Sequence, residues 1–309
     1  MIRFFRNCTA LLLVVAAILW LGGAAYRQTT VYQNLELSEE TYKYKMIPKQ
    51  VSFAVLGSSH GRAAYQAEDY GEDFFNFSLS SQTPQYDLMQ LRQFQNRIPA
   101  GATVILTVSY FSPFWSDSQE AFENKQGRYY RILSPQNIVN CDIGYWVLGR
   151  LSPLLITDFQ DVLSAFLNPP ELVQDENVRS VLSPDDLDTE QARIRKNHLS
   201  LIEPAMPEGN PVMLEAYRAI FDLCREKEWK AVLVTPPYLA VYSDCFPAEV
   251  LARFRELTLQ LSSDAGVPWL DYSQDARFTQ DFSLFKDIDH LNPEGAVKFS
   301  QIIQEQLLK

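Results

Sequence analysis

Histidine is scarce in this chain: only His60, His198 and His290 occur among 309 residues. Any chemistry that needs an imidazole therefore has few sources. Four cysteines, Cys8, Cys141, Cys224 and Cys245, show no C-x-x-C spacing and form no disulfide framework. A Cys224–Cys245 bridge is open on spacing, with buried thiols the plainer reading. No cluster with metal-ligand spacing stands out. Basic residues are outnumbered 27 to 38, a formal net charge of -11. That balance argues against a general nucleic-acid binder, which needs a basic face to displace counterions. Repeats and low-complexity tracts are absent.

What is present is apolar material for a large core: 47% hydrophobic and 13% aromatic residues, enough for one sizeable globular domain with additions. Arg3 and Arg6 precede an apolar run from Ala10 to Ala25, closed by Tyr26 and Arg27. Basic residues before such a run predict a cytoplasmic amino terminus and an exported remainder. Residues 1–27 read as a signal anchor. A cleaved signal peptide is the alternative, with Gly23-Ala24-Ala25 as its small-residue site. Residues 28–50, polar and mixed in charge, read as a stalk or lead-in.

Val51–Leu56 predicts a short buried strand that stops at Gly57, with Ser58 and Ser59 ahead of a helical pattern. Further strands are expected at Phe74–Ser78, Thr103–Val108, Ala231–Thr235 and Val267–Asp271. Helices are expected through Leu88, Leu91 and Phe94, over Pro211–Trp229 and Ala248–Ser263, and from Pro293 to the end. Alternating strands and helices argue for a parallel, doubly wound α/β domain over 51–309. A looser, aromatic-rich stretch at about 112–210 reads as a cap or insertion. Its Trp115, Tyr129, Tyr130 and Trp146 are expected to make a small core of their own.

In such a sheet the loops after the strands share one edge, where ligands bind. Ser59, at a strand-to-helix turn, is placed to act as a nucleophile. A serine needs a base, and that base needs an orienter. Asn292-Pro293 predicts a helix start, which puts His290 in the loop ahead of it. Asp287, three residues earlier, can fold back onto the imidazole, and Asp289 is expected to point elsewhere. His60 is expected to turn away along the new helix, toward the surface or behind the site. Arg193–His198 reads as a solvated basic face, and Ser58 as filling the turn.

Gly57-Ser58-Ser59 with Asp287-x-x-His290 resembles the SGNH/GDSL hydrolase superfamily, in particular its membrane-anchored extracytoplasmic members of the teichoic-acid D-alanylation and cell-envelope O-acetylation type. The resemblance covers Val51–Ser109 and Lys230–Lys309. It implies a three-layer α/β/α fold and a catalytic set of Ser59, His290 and Asp287. The oxyanion hole it implies uses the N–H groups of Ser59 and Ser81, with Ser81 at the family's glycine position. The family's asparagine donor falls on Phe111, and one absent donor costs ~3 kcal/mol of transition-state stabilisation. The function implied is an extracytoplasmic acyl-ester hydrolase or O-acyltransferase on a cell-envelope glycan or glycopolymer, without metal or dissociable cofactor. The alternative is a non-catalytic accessory protein that docks on an integral membrane acyltransferase or an envelope polymer. A flavodoxin-like binding module is the third reading.

Overall fold

A computed structural model describes residues 1–65, 70–116, 127–173 and 181–307. In chain order, the first helices are α1 (Ile2–Tyr26) and α2 (Thr30–Ser38). Then follow β1 (Phe53–Leu56), α3 (Ser59–Ala64), β2 (Phe74–Asn76), α4 (Pro84–Phe94) and β3 (Thr103–Thr107). Next come α5 (Ile143–Leu151), α6 (Phe159–Leu167), α7 (Leu187–Asn197) and α8 (Pro211–Glu226). The chain ends with β4 (Lys230–Thr235), α9 (Ala248–Ala265), β5 (Trp269–Asp271) and α10 (Pro293–Leu307).

The chain divides into two compact units, Met1–Met46 with Gln126–Asp175, and Ile47–Lys125 with Glu176–Lys309. In the first, α1 carries a 24-residue stretch, Arg3–Tyr26, long and apolar enough to cross a membrane. Residues 28–50, expected as a lead-in, include α2, whose cap is the Thr29 side chain accepting from the Tyr32 N–H. Of the stretch expected as an insertion, 126–175 groups with the amino-terminal segment and the rest with the sheet. The four aromatics expected as one core part accordingly. Trp115 packs on Phe111 at 5.0 Å in the second unit, whereas Tyr129, Tyr130 and Trp146 lie in the first.

The second unit holds a five-stranded, all-parallel sheet of order β2-β1-β3-β4-β5. Its central strands are apolar runs with side chains buried on successive residues: Val104, Ile105 and Leu106 in β3, Leu233 and Val234 in β4. Such runs suit a parallel strand covered on both faces. The amphipathic helix α8 turns Tyr217, Ile220, Phe221 and Cys224 inward, packing on α4 and β4. All five strands fall where expected, though β1, β2 and β5 are each two residues shorter and β3 one. The order reverses direction at β1, so the carboxyl ends of β1 and β3 form the switch point where doubly wound sheets bind ligands. Cys224 and Cys245 are free and buried, and Cys8 and Cys141 are free and half-buried.

Candidate active site

Ser59 stands at that switch point as the first residue of α3. The turn before it depends on Gly57, whose φ of +131° suits glycine and whose Cβ would meet the Thr107 carbonyl oxygen at 2.9 Å. The Gly57 N–H donates to Asp87 Oδ1 at 2.9 Å. Asp87 lies on α4, fully buried, and the same oxygen accepts from Gln82 Nε2 at 2.6 Å. Gln90 donates in turn to Gln82. Burial pushes the Asp87 carboxyl up to about 7 against these two donors. This carboxyl ties the turn before Ser59 to the loop that carries Ser81.

Ser81 occupies the left-handed region at φ +55°, a conformation that costs a non-glycine residue on the order of 1 kcal/mol. That is consistent with a turn shape that glycine adopts freely. The Ser59 N–H, at the start of a helix, has no intrahelical partner.

The second half of the site comes from the loop between β5 and α10. An antiparallel bridge between Phe285 and Leu291 closes it, and Lys286 N–H donates to the His290 carbonyl at 3.1 Å. Ile288 inserts into the core. At the loop's tip, Asp287 Oδ1 accepts the backbone N–H groups of Asp289 at 3.1 Å and His290 at 2.7 Å. The three-residue spacing therefore folds the carboxylate back onto its own histidine. Both Asp287 oxygens lie 2.9 Å from His290 Nδ1, and His290 Nε2 lies 2.8 Å from Ser59 Oγ. Asn292 caps α10 as expected, accepting from Gly295 N–H at 3.0 Å.

Serine, imidazole and carboxylate thus stand in hydrogen-bonded series, the arrangement that moves a proton off a hydroxyl. His290 keeps 11% of its side chain exposed, and Ser59 is half-buried. Burial presses the imidazole down, but the carboxylates of Asp287 and then Asp289 more than offset it, so His290 titrates above its ordinary range.

Behind the triad lies a second network. Asp289, expected to point elsewhere, does so, into the interior. Its Oδ1 accepts from Arg193 Nη2 at 2.7 Å and its Oδ2 from His60 Nε2 at 2.9 Å, while Oδ2 stays 3.6 Å from His290 Nδ1. Burial alone would raise this carboxyl. The surrounding His290, His60 and His198 rings pull it well below the usual range, and Arg193 adds a bonded positive charge. His60 is fully buried, not at the surface: α3 turns it into the space at the ends of β3 and β4. There its Nδ1 meets Ser109 Oγ at 2.6 Å and Tyr238 Oη at 3.1 Å. Because a carboxylate only accepts, Nε2 carries the His60 proton and Nδ1 takes one from a hydroxyl. Burial pushes His60 below its ordinary range despite Asp289.

The Arg193–His198 run is not a solvated face throughout. Arg195 and Lys196 face water, but Arg193 reaches Asp289 and His198 turns inward to Tyr242 Oη at 3.0 Å. Burial takes His198 down to about 3. Phe111, at the position where the resemblance expects an asparagine donor, packs its ring on His198 at 4.8 Å and His60 at 5.4 Å.

One ligand atom each from His60, Asp289 and His290 lies within 4.8 Å of the others. Those atoms are already committed: Asp289 Oδ2 to His60, and the two His290 nitrogens to Asp287 and Ser59. The hydrogen bonds account for the cluster. Sequence reasoning missed Asp87 and Arg193. Asp87 had a signal, since it sits at i−4 and i−7 from Leu91 and Phe94 on an apolar helix face. Arg193 had none.

No family model matches the chain, and no curated protein matches it in sequence.

Proposed function

We propose that this chain is an SGNH-type acyl-ester hydrolase or O-acyltransferase, held to a membrane by α1 with the α/β unit outside the cytoplasm. Its sheet would sit in a three-layer α/β/α arrangement. The observation that carries the reading is the hydrogen-bonded series Ser59 Oγ, His290 Nε2 and Nδ1, Asp287, at 2.8 and 2.9 Å. As Ser59 Oγ bonds to an acyl carbonyl carbon, His290 Nε2 takes its proton, and Asp287 stabilises the imidazolium. The N–H groups of Ser59 and Ser81 receive the oxyanion. Collapse breaks the ester bond, and His290 returns the proton to the departing alcohol. Water or a sugar hydroxyl, deprotonated by the same imidazole, then resolves the acyl-enzyme. Export and the motif resemblance favour an acylated carbohydrate or envelope polymer as substrate.

A second reading draws on Phe111. With an aromatic ring where the resemblance expects a polar donor, the domain would serve as a non-catalytic accessory to a membrane acyltransferase or bind an envelope polymer. A fluorophosphonate distinguishes the two. The catalytic reading expects stoichiometric labelling of the folded chain and none of Ser59→Ala. Absence of labelling in the folded wild type, or equal labelling of Ser59→Ala, would overturn it.

A further inference from the structure

The unit formed by Met1–Met46 and Gln126–Asp175 carries two short helices whose outward faces are apolar. On α6, Phe159, Leu163, Phe166 and Leu167 fall at i, i+4, i+7 and i+8, a single helix face. All four are exposed, Phe159 with 76% of its surface in solvent. On α5, Ile143, Val147 and Leu151 recur at every fourth position and are also exposed, and no α5 residue is buried. Surface helices ordinarily turn polar residues outward. Contiguous apolar faces of this kind mark a contact site.

Both helices are fixed to the carboxyl end of α1, and both pack against it. The 3-10 turn between them, Pro153–Leu155, rests directly on α1. A Cβ on Gly22 would come within 2.9 Å of Leu154 Cδ1, and one on Gly23 within 2.5 Å of Ser152 Oγ. The Tyr26 ring lies 6.4 Å from that of Phe166. These contacts lie at Gly22–Tyr26, roughly the last 6 Å of the helix at 1.5 Å per residue. The 24-residue apolar stretch of α1 reaches about 36 Å, somewhat more than a ~30 Å hydrocarbon core. When α1 spans, Gly22–Tyr26 come to lie where acyl chains meet headgroups. A helix with one apolar face lies in the membrane plane at that depth. Beside it, Arg27, Arg131 and Arg150 line a cavity of about 570 Å³ together with Asp158 and Asp161, placing guanidinium groups near the level of lipid phosphates.

We infer that α5 and α6 are a second membrane contact, with the faces of Val147 and Leu163 seated in the lipid boundary at the carboxyl end of α1. The seat would hold the chain at a fixed depth that a single helix, free to tilt and turn, does not set. Its occupant is the bilayer itself, because the apolar faces continue from a helix of membrane-spanning length and sit at the matching depth.

The test uses the full chain in liposomes of phosphatidylcholine and phosphatidylglycerol, with Cys8 and Cys141 replaced by serine. Nitroxide labels are placed singly at Val147→Cys, Leu163→Cys, Leu13→Cys on α1 and the exposed Leu259→Cys on α9. Oxygen partitions into lipid and a nickel chelate into water, so each label's relative access reads its surroundings. The expected result is an oxygen-to-nickel ratio at 147 and 163 several-fold above that at 259 and close to that at 13. Nickel access at 147 and 163 equal to that at 259 would overturn the inference. So would exclusion of both reagents, which would indicate a protein partner, and so would a water-exposed label at 13.

Discussion

Replacing Asp287 with asparagine separates the carboxylate's charge from its shape. Asparagine keeps an oxygen able to accept from His290 Nδ1 but removes the charge that raises the imidazole's affinity for a proton. Both carboxylate oxygens stand 2.9 Å from Nδ1. Opposite charges centred ~4 Å apart at an effective permittivity of about 20 attract by ~4 kcal/mol. Two facts reduce this. Asp287 keeps 23% of its side chain exposed, so solvent screens it, and Asp289 remains 3.6 Å from the same nitrogen. Removing the Asp287 charge should therefore lower the His290 pKa, with Asp289 left to hold part of it up. Protonated His290 cannot accept the Ser59 proton, so fluorophosphonate labelling of the wild type should fail as pH falls through a value above the ordinary ~6.5 of histidine. In Asp287→Asn that acid limb should move to lower pH, while the plateau rate drops by up to about 10⁴-fold for want of charge opposite the imidazolium. Stability should follow the opposite course. A histidine whose folded pKa is raised contributes stability that is present below ~6.5 and lost as pH rises through the folded value, so the wild type gives up this pair's contribution as activity appears. The assay is the second-order labelling constant over roughly pH 5 to 9, beside a thermal midpoint at each pH. A lowered plateau with an unmoved limb would refute the reasoning, because Asp287 would then act only by position.

Two further outcomes follow from the buried networks. Asp289→Asn should lower stability by roughly 1–3 kcal/mol, because it removes the buried carboxylate that accepts from Arg193 Nη2 and His60 Nε2, while Arg193 keeps Glu190 and 34% of its side chain in solvent. Denaturant unfolding measures this, and since the Asp289 carboxyl is depressed, the wild-type advantage should hold above ~4 and fade as pH falls through the folded value. Asp87→Asn should act in the opposite direction at neutral pH. The folded Asp87 holds a proton that the unfolded chain releases above ~4, so wild-type stability declines between that value and about 7, by at most about 4 kcal/mol. Asparagine should flatten that decline, and an unchanged pH slope in chemical unfolding would contradict the assignment.

The sheet and the Ser59–His290 encounter were legible because their signals are local. Apolar runs such as Thr103–Thr107 and the break at Gly57 each span a few residues, and parallel strands oblige their following loops to share an edge. The Asp287–His290 geometry is set within four residues by the backbone N–H groups that Asp287 collects. What the sequence hid is decided at long range. Nothing in Ser59–Ala64 tells that His60 points inward. That depends on hydroxyls supplied after β3 and β4, by Ser109 and Tyr238, and on a carboxylate from the last loop. Arg193 likewise reads as one cation in a basic run until the fold sets Asp289 against it.

Under the proposed function, the two aspartates of the last loop divide structure and chemistry between them. Asp287 faces the partly exposed imidazole edge, where a charge can be screened and a proton can come and go. Asp289, two residues on, is sealed from water, and its charge persists because Arg193 and His60 donate to it. The Asp289 N–H also donates to Asp287, so the Asp289–Arg193 pair anchors the backbone that aims the half-buried Asp287 carboxylate. A proton transfer between Ser59 and His290 needs their separation held to a few tenths of an ångström. A loop fixed on its inner side by an ion pair and closed by the Phe285–Leu291 bridge meets that need, with the His290 imidazole left on its outer side.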